Sequence, residues 1–113
     1  MSFGARLASI SLAVETRFKA AILWAGGFHL TTKPAEIDEI NFAPHVRTPI
    51  LMANGQDDFT IPVETSQKPM FRLLGTPEPD KQYVSHPGGH VFPFARIMKD
   101  SLDWLDKYLG TPR

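Results

Sequence analysis

Three residues of this 113-residue sequence have the side chains needed to form and break a covalent bond at a carbonyl carbon: Ser2, Asp58 and His90. A serine hydroxyl is a poor nucleophile near neutral pH and needs a positioned imidazole to accept its proton as it attacks. The imidazole in turn needs a carboxylate, which fixes its tautomer and stabilises the imidazolium that forms. The chain order Ser, then Asp, then His is one of the orders in which such a triad occurs. Phe3 follows the serine directly, so a sharp turn at Ser2 would raise its oxygen and present the Phe3 N–H to a developing oxyanion.

Two of these residues have competitors. Asp57 adjoins Asp58, and Asp favours turns after strands, so either could be a turn residue. His86 competes with His90 across the tight Pro87-Gly88-Gly89 link, and His90 is preferred because it directly precedes the closing helix. His29 and His45 read as loop residues. The four histidines lack metal-ligand spacing, so neither a metal nor any other cofactor is expected. Gly26-Gly27 lacks the pattern of a phosphate loop.

The elements that must hold these groups follow from apolar spacing. Ala5 to Glu15 carries Leu7, Ile10, Leu12, Ala13 and Val14 and predicts a short helix behind Ser2. Lys19 to Ala25 is a short apolar run closed by Gly26-Gly27, and Thr48 to Asn54 is a second one closed by Gly55. Neither alternates, as expected for parallel strands covered on both faces. Phe28 to Pro44 reads as an irregular loop anchored by Ile40, Phe42 and Val46. Pro62 opens a helix over Val63 to Leu74, with Met70, Phe71, Leu73 and Leu74 as its apolar face and Gly75 as C-cap. Pro69 kinks or splits that helix. Gln82 to Ser85 is a short strand and His86 to His90 a turn. Phe92 to Leu109 is the closing helix, its shared face formed by Phe94, Ile97, Met98, Leu102, Leu105 and Leu109. Trp104 is expected to pack, and Trp24, Phe28 and Phe59 read as core or loop anchors before pocket residues. Strands alternating with helices predict an α/β fold: a three-layer αβα arrangement with a short parallel sheet of about three strands. Ser2, Asp58 and His90 then fall at the carboxyl ends of the elements, where open parallel sheets bind ligands.

Composition narrows the function classes. With 42% hydrophobic and 21% charged residues the chain can build a core, and its formal net charge of zero offers no basic surface to a nucleic acid. The absence of cysteine excludes disulfide scaffolds, thiol nucleophiles and thiolate-bound zinc, and fits a reducing, cytoplasmic setting. The segment Met1 to Ala8 lacks the apolar core of a signal peptide. No apolar run approaches the roughly 20 residues that cross a bilayer, so no membrane partner is expected.

Longer stretches carry a family resemblance. Met1-Ser2-Phe3-Gly4 matches the last four positions of G-x-S-x-G. The stretch SFGARLASISLAVETRFKAAILWAGGF resembles the post-nucleophile helix and next strand of α/β-hydrolases similar to dienelactone hydrolases and prolyl-oligopeptidase-type enzymes. TPILMANGQDDFTIPVETSQKPMFRLLG is similar to their acid-loop segment, with Gly55, Asp58 and Pro62 in place. The choice of Asp58, at its distance from Gly55 and Pro62, is what this resemblance implies, with Asp57 left to cap the turn. HPGGHVFP is similar to their base loop, with His90 as the base. The resemblance implies a partial α/β-hydrolase fold. It also implies a serine hydrolase, an esterase or serine-type peptidase, that cleaves a small-molecule ester or a peptide through an acyl-enzyme. In it Ser2 attacks, His90 moves the proton, Asp58 orients His90, and Phe3 lends its N–H to the oxyanion hole.

About half of such a domain has no counterpart here, including the strand feeding the nucleophile turn and the loop giving a second oxyanion N–H. Loss of one oxyanion donor alone costs about 100-fold to 1000-fold in rate. Residues 1–113 are therefore expected to be the C-terminal portion of a domain whose N-terminal half is absent, through fragmentation, truncation or a misassigned start. The alternative function is a catalytically inactive interaction or dimerisation module. Lys19 to Ala25 would be an interior strand in the full fold, and an apolar strand edge without its neighbour is a pairing site. The expected protein partner is a second copy or the missing half.

Overall fold

The computed structural model describes residues 1–113. Four helices and three strands account for the frame: α1 (Phe3–Val14), β1 (Ala21–Trp24), α2 (Glu39–Phe42), β2 (Ile50–Gly55), α3 (Lys68–Leu73), β3 (Lys81–His86) and α4 (Phe94–Leu109). The strands form one parallel sheet in the order β1-β2-β3. Ala21 pairs with Ile50 and Trp24 with Ala53; Ile50 pairs with Lys81 and Gly55 with His86.

The continuous apolar run of the second strand is explained by its place. β2 is central, and all of its residues are buried. Successive strand residues point to opposite faces, so β2 feeds two cores. Ile50 and Met52 pack with Ala5 and Leu12 of α1, Leu23 of β1, and Met70 and Leu74 around α3. Ala53 packs on the other face with Ala25, Phe92 and Ile97, flanked by Trp24 and Val84. Each fully buried Ile, Leu or Met contributes about 1.5–3 kcal/mol, and Ile50, Leu51 and Met52 are all of this kind. The result is the expected three-layer arrangement, with α1 and α3 on one face and α4 on the other. No helix is long and apolar enough to cross a membrane.

Several local expectations are corrected. Phe28 to Pro44 is not wholly irregular: it contains a turn at Ala35–Ile37, then α2, then a turn at Ala43–His45. Val46 anchors this region from the core as expected, but Ile40 is exposed. The helix over Val63 to Leu74 is split, as Pro69 foretells: Val63–Gln67 forms a wide π-helical turn and Lys68–Leu73 an α-helix. On it Met70 and Leu74 are buried, whereas Leu73 faces solvent. Gly75 is not a left-handed cap. The Lys81 ammonium instead donates to the Phe71 and Leu74 carbonyls. Gly75 is needed for space, since a Cβ there would lie 2.0 Å from the Pro44 carbonyl oxygen.

The closing helix ends at Leu109 as expected but begins at Phe94, after Pro93, rather than at Phe92; its buried stripe is Ile97, Ser101 and Trp104, while Phe94, Leu102 and Leu109 are exposed. The apolar face is wider than the three-stranded sheet beneath it can cover. Of the aromatics, Phe28 is core and Phe59 fully exposed. Trp24 leans on α4, with its indole N–H donating to Ser101 Oγ at 3.0 Å.

Candidate active site

The carboxyl ends of the strands lie side by side, and the segments that leave them carry the polar groups. Ser2 stands beside β1 on the edge opposite β2, its backbone N–H donating to the Trp24 carbonyl at 2.8 Å. Its backbone adopts φ 52° and ψ −120°, a conformation that costs a non-glycine residue about 1–3 kcal/mol. A serine preceding a helix ordinarily accepts a bond from a helix amide through its side chain; Ser2 does not. Its Oγ lies instead 2.8 Å from His90 Nε2.

His90 Nδ1 lies 2.8 Å from Asp58 Oδ2. A carboxylate only accepts, so Nδ1 carries the proton and Nε2 is left to accept from the Ser2 hydroxyl. The other carboxylate oxygen, Asp58 Oδ1, accepts from the backbone N–H groups of Thr60 and Ile61, each at 2.8 Å. Asp58 is buried and has both oxygens engaged. The structure thus brings Ser2, His90 and Asp58 into one hydrogen-bonded line. Phe3 is the first residue of α1, so its N–H has no partner within the helix, and it makes none of the protein's other backbone turn or cap bonds.

The competing residues are turned elsewhere. Asp57 is exposed, and its backbone N–H donates to the Gly88 carbonyl. His86 Nε2 pairs with Asp100 Oδ2 at 2.6 Å, and the His86 ring stacks on Phe92. His29 and His45 are exposed.

The loops bearing Asp58 and His90 are joined by backbone bonds, Gln56 N–H to the His86 carbonyl and Asp57 N–H to the Gly88 carbonyl. They lie so close that only glycine fits at the start of the acid loop. A Cβ on Gly55 would meet the Gly88 carbonyl oxygen at 2.5 Å and the Gly89 carbonyl oxygen at 2.0 Å.

Sequence reasoning passed over two buried amides that fix this arrangement. Gln67, in the π-helical turn, donates to the Gly55 and Ile61 carbonyls and accepts from the Tyr83 hydroxyl at 2.6 Å. It therefore ties both ends of the acid loop together. Asn54 Nδ2 donates to the Gly26 carbonyl at 2.7 Å and ties the β1 exit to β2. A polar residue within an otherwise apolar strand was the only available signal for Asn54; nothing in spacing marks Gln67.

Residues 4–102 match the serine hydrolase (FSH1) family. Among functionally curated proteins, none matches the sequence. Solved structures that share the fold include a cold-adapted esterase from an Arctic intertidal metagenomic library, at TM-score 0.75 and 24% identity over 96% of this chain and 46% of that one. TT1662 from Thermus thermophilus superposes with TM-score 0.78 at 20% identity, over 98% of this chain and 53% of its own. A candidate dienelactone hydrolase from Klebsiella pneumoniae gives TM-score 0.73 at 20% identity, over 99% of this chain and 50% of its own. The chain spans about half the length of these structures. It has the α/β-hydrolase fold in part, and with 99 consecutive positions matched (4 to 102 inclusive) it belongs to the serine hydrolase (FSH1) family.

Proposed function

We propose that this chain hydrolyses an ester, or less readily a peptide bond, through an acyl-enzyme on Ser2. The observation that carries the proposal is the unbroken line from Ser2 Oγ to His90 Nε2 and from His90 Nδ1 to Asp58 Oδ2, with both contacts at 2.8 Å. In the first step the Ser2 oxygen attacks the carbonyl carbon and its proton passes to His90 Nε2. The imidazolium so formed is stabilised by Asp58, and the carbonyl oxygen, now negative, is met by the Phe3 N–H. Collapse expels the leaving group, which takes the proton from Nε2. Water repeats the sequence in reverse and frees Ser2. The strained backbone of Ser2 supports the reading, since such strain is found where a turn must aim a reactive group.

The test is hydrolysis of p-nitrophenyl acetate by the wild type, Ser2→Ala, His90→Ala and the double variant. Residues that act as one unit are not additive. The expected result is a large loss in each single variant and no further loss in the double. Unchanged hydrolysis in Ser2→Ala rules the proposal out.

A second reading, an interaction module, is favoured by one observation. The edge of β1 away from β2 bears the Ser2 N–H contact at Trp24 and no paired strand, and an apolar groove lined by Leu7, Ala8, Phe18 and Ile22 runs along β1. Its occupant would be a second copy or a chain supplying the other half of the fold.

A further inference from the structure

We infer that the pocket beside Ser2 selects esters whose acyl group carries a carboxylate, and that Arg6 is the residue that recognises it; the inference rests on Ser2 acting as the nucleophile. A small cavity of about 210 Å³ is lined by Ser2, Phe3, Arg6, His29, Thr60 and Ile61. His90 does not line it. Because His90 must stand at the leaving group to return the proton, a cavity bounded by Ser2 and Phe3 but not by His90 lies on the acyl side.

Arg6 sits in the first turn of α1, one turn beyond Ser2, where the helix dipole disfavours a cation. Its side chain is 15% exposed and stacks over the Phe3 ring at 4.8 Å. Its one ionic partner is Glu39, wholly buried, whose Oε1 lies 3.2 Å from Arg6 Nε without the alignment of a hydrogen bond. Glu39 is already matched by Lys33, whose ammonium donates to both carboxylate oxygens at 2.7 Å, with Asp38 at 3.7 Å from the same ammonium. The terminal nitrogens of Arg6 have no protein acceptor, unlike those of Arg17 and Arg47. A guanidinium stays charged and presents a planar fork that matches a carboxylate. Here Arg6 lines the cavity that opens at the nucleophile, its guanidinium between Glu39, 3.2 Å from Nε, and the Phe3 ring, 4.8 Å from Cζ. The small cavity suits a short acyl chain, such as that of a C4 or C5 dicarboxylic half-ester.

The experiment has three measurements on the purified chain. Glutarate and neutral glutaramide are titrated while backbone amide shifts are followed by NMR. The kcat/KM for p-nitrophenyl hydrogen glutarate is compared with that for p-nitrophenyl pentanoate. Ser2 is probed separately with a fluorophosphonate. The expected result is saturable glutarate shifts at Phe3, Gly4 and Arg6, none with glutaramide, and at least a tenfold preference for the charged ester. Arg6→Gln should weaken glutarate binding and cut that preference at least tenfold. Should Arg6→Gln fail to fold because Glu39 loses a cation, Arg6→Lys keeps the charge without the fork and should weaken glutarate binding severalfold. Glutarate shifts that persist in the folded variants, or equal kcat/KM for the two esters, overturn the inference. Arg6-dependent glutarate binding with no fluorophosphonate labelling upholds the anion site and removes the catalytic reading instead.

Discussion

Gly55 and Gly89 approach so closely that a single added carbon on Gly55 would fall 2.0 Å from the Gly89 carbonyl oxygen. The contact welds the acid loop to the base loop and thereby fixes the distance between Asp58 and His90. Gly55→Ala must push the His90 loop away. A misplacement of about 1 Å costs roughly 100-fold in rate, and overpacking costs about 1–3 kcal/mol. We predict a fall of that order in kcat for ester hydrolysis, with a lower Tm by thermal denaturation. Wild-type kinetics in Gly55→Ala would show that the two loops are not coupled.

Asp58 is predicted to act through the tautomer of His90. Asp58→Asn can keep the shape, but its amide can present an N–H to Nδ1 and so shift the imidazole proton to Nε2, where it can no longer accept from Ser2. Changes of this kind lower kcat by about 10,000-fold in related triads. The variant should hydrolyse p-nitrophenyl acetate at a rate near that of Ser2→Ala while its circular dichroism is unchanged. A loss below tenfold would remove Asp58 from the proton relay.

Gln67 is predicted to hold the acid loop closed. Gln67→Leu strands the Gly55 and Ile61 carbonyls and the Tyr83 hydroxyl, which it now satisfies. Each buried polar group left unpaired costs about 1–3 kcal/mol, so urea denaturation should show a large loss of stability, with Tyr83→Phe much milder.

The same pair gives a pH dependence. Burial holds the Tyr83 phenol above its ordinary value of 10.0. The folded state then keeps a proton that the unfolded chain releases. Its contribution to stability is full below about pH 10 and falls as pH rises beyond it. Tyr83→Phe should flatten that alkaline decline, and an unchanged slope would exclude Tyr83 as its source.

The unpaired edge of β1 leads to a further prediction. An apolar edge strand invites pairing, so sedimentation velocity should show species larger than a monomer, growing with concentration. A sharp monomer across a wide concentration range would speak against the interaction reading.

The layered α/β frame was legible because its signals are local. Short apolar runs ending at Gly26 and Gly55 mark buried parallel strands, and the likeness of Gly55, Asp58 and Pro62 to a hydrolase acid loop marks the acid. Asp58 and His90 each follow a strand, β2 and β3, whereas Ser2 precedes α1 with no strand before it, so its place beside them rested on the family resemblance. What was not legible depends on partners distant in sequence. The face of α4 was read too broadly because periodicity gives the apolar stripe but not the width of the sheet that covers it, leaving Phe94 and Leu102 exposed. The short helix holding Glu39 looked like loop because a buried carboxylate makes sense only once Lys33 and Arg6 converge on it. Gln67 carries no spacing signal, since its partners lie in the acid loop and on β3.

The most direct test of the account is the intact mass of the purified, folded chain after exposure to a fluorophosphonate. A gain of one probe is expected, located by peptide mapping at Ser2 and lost or strongly slowed in His90→Ala. An unmodified mass in a folded sample, or a label on any other residue, would contradict it.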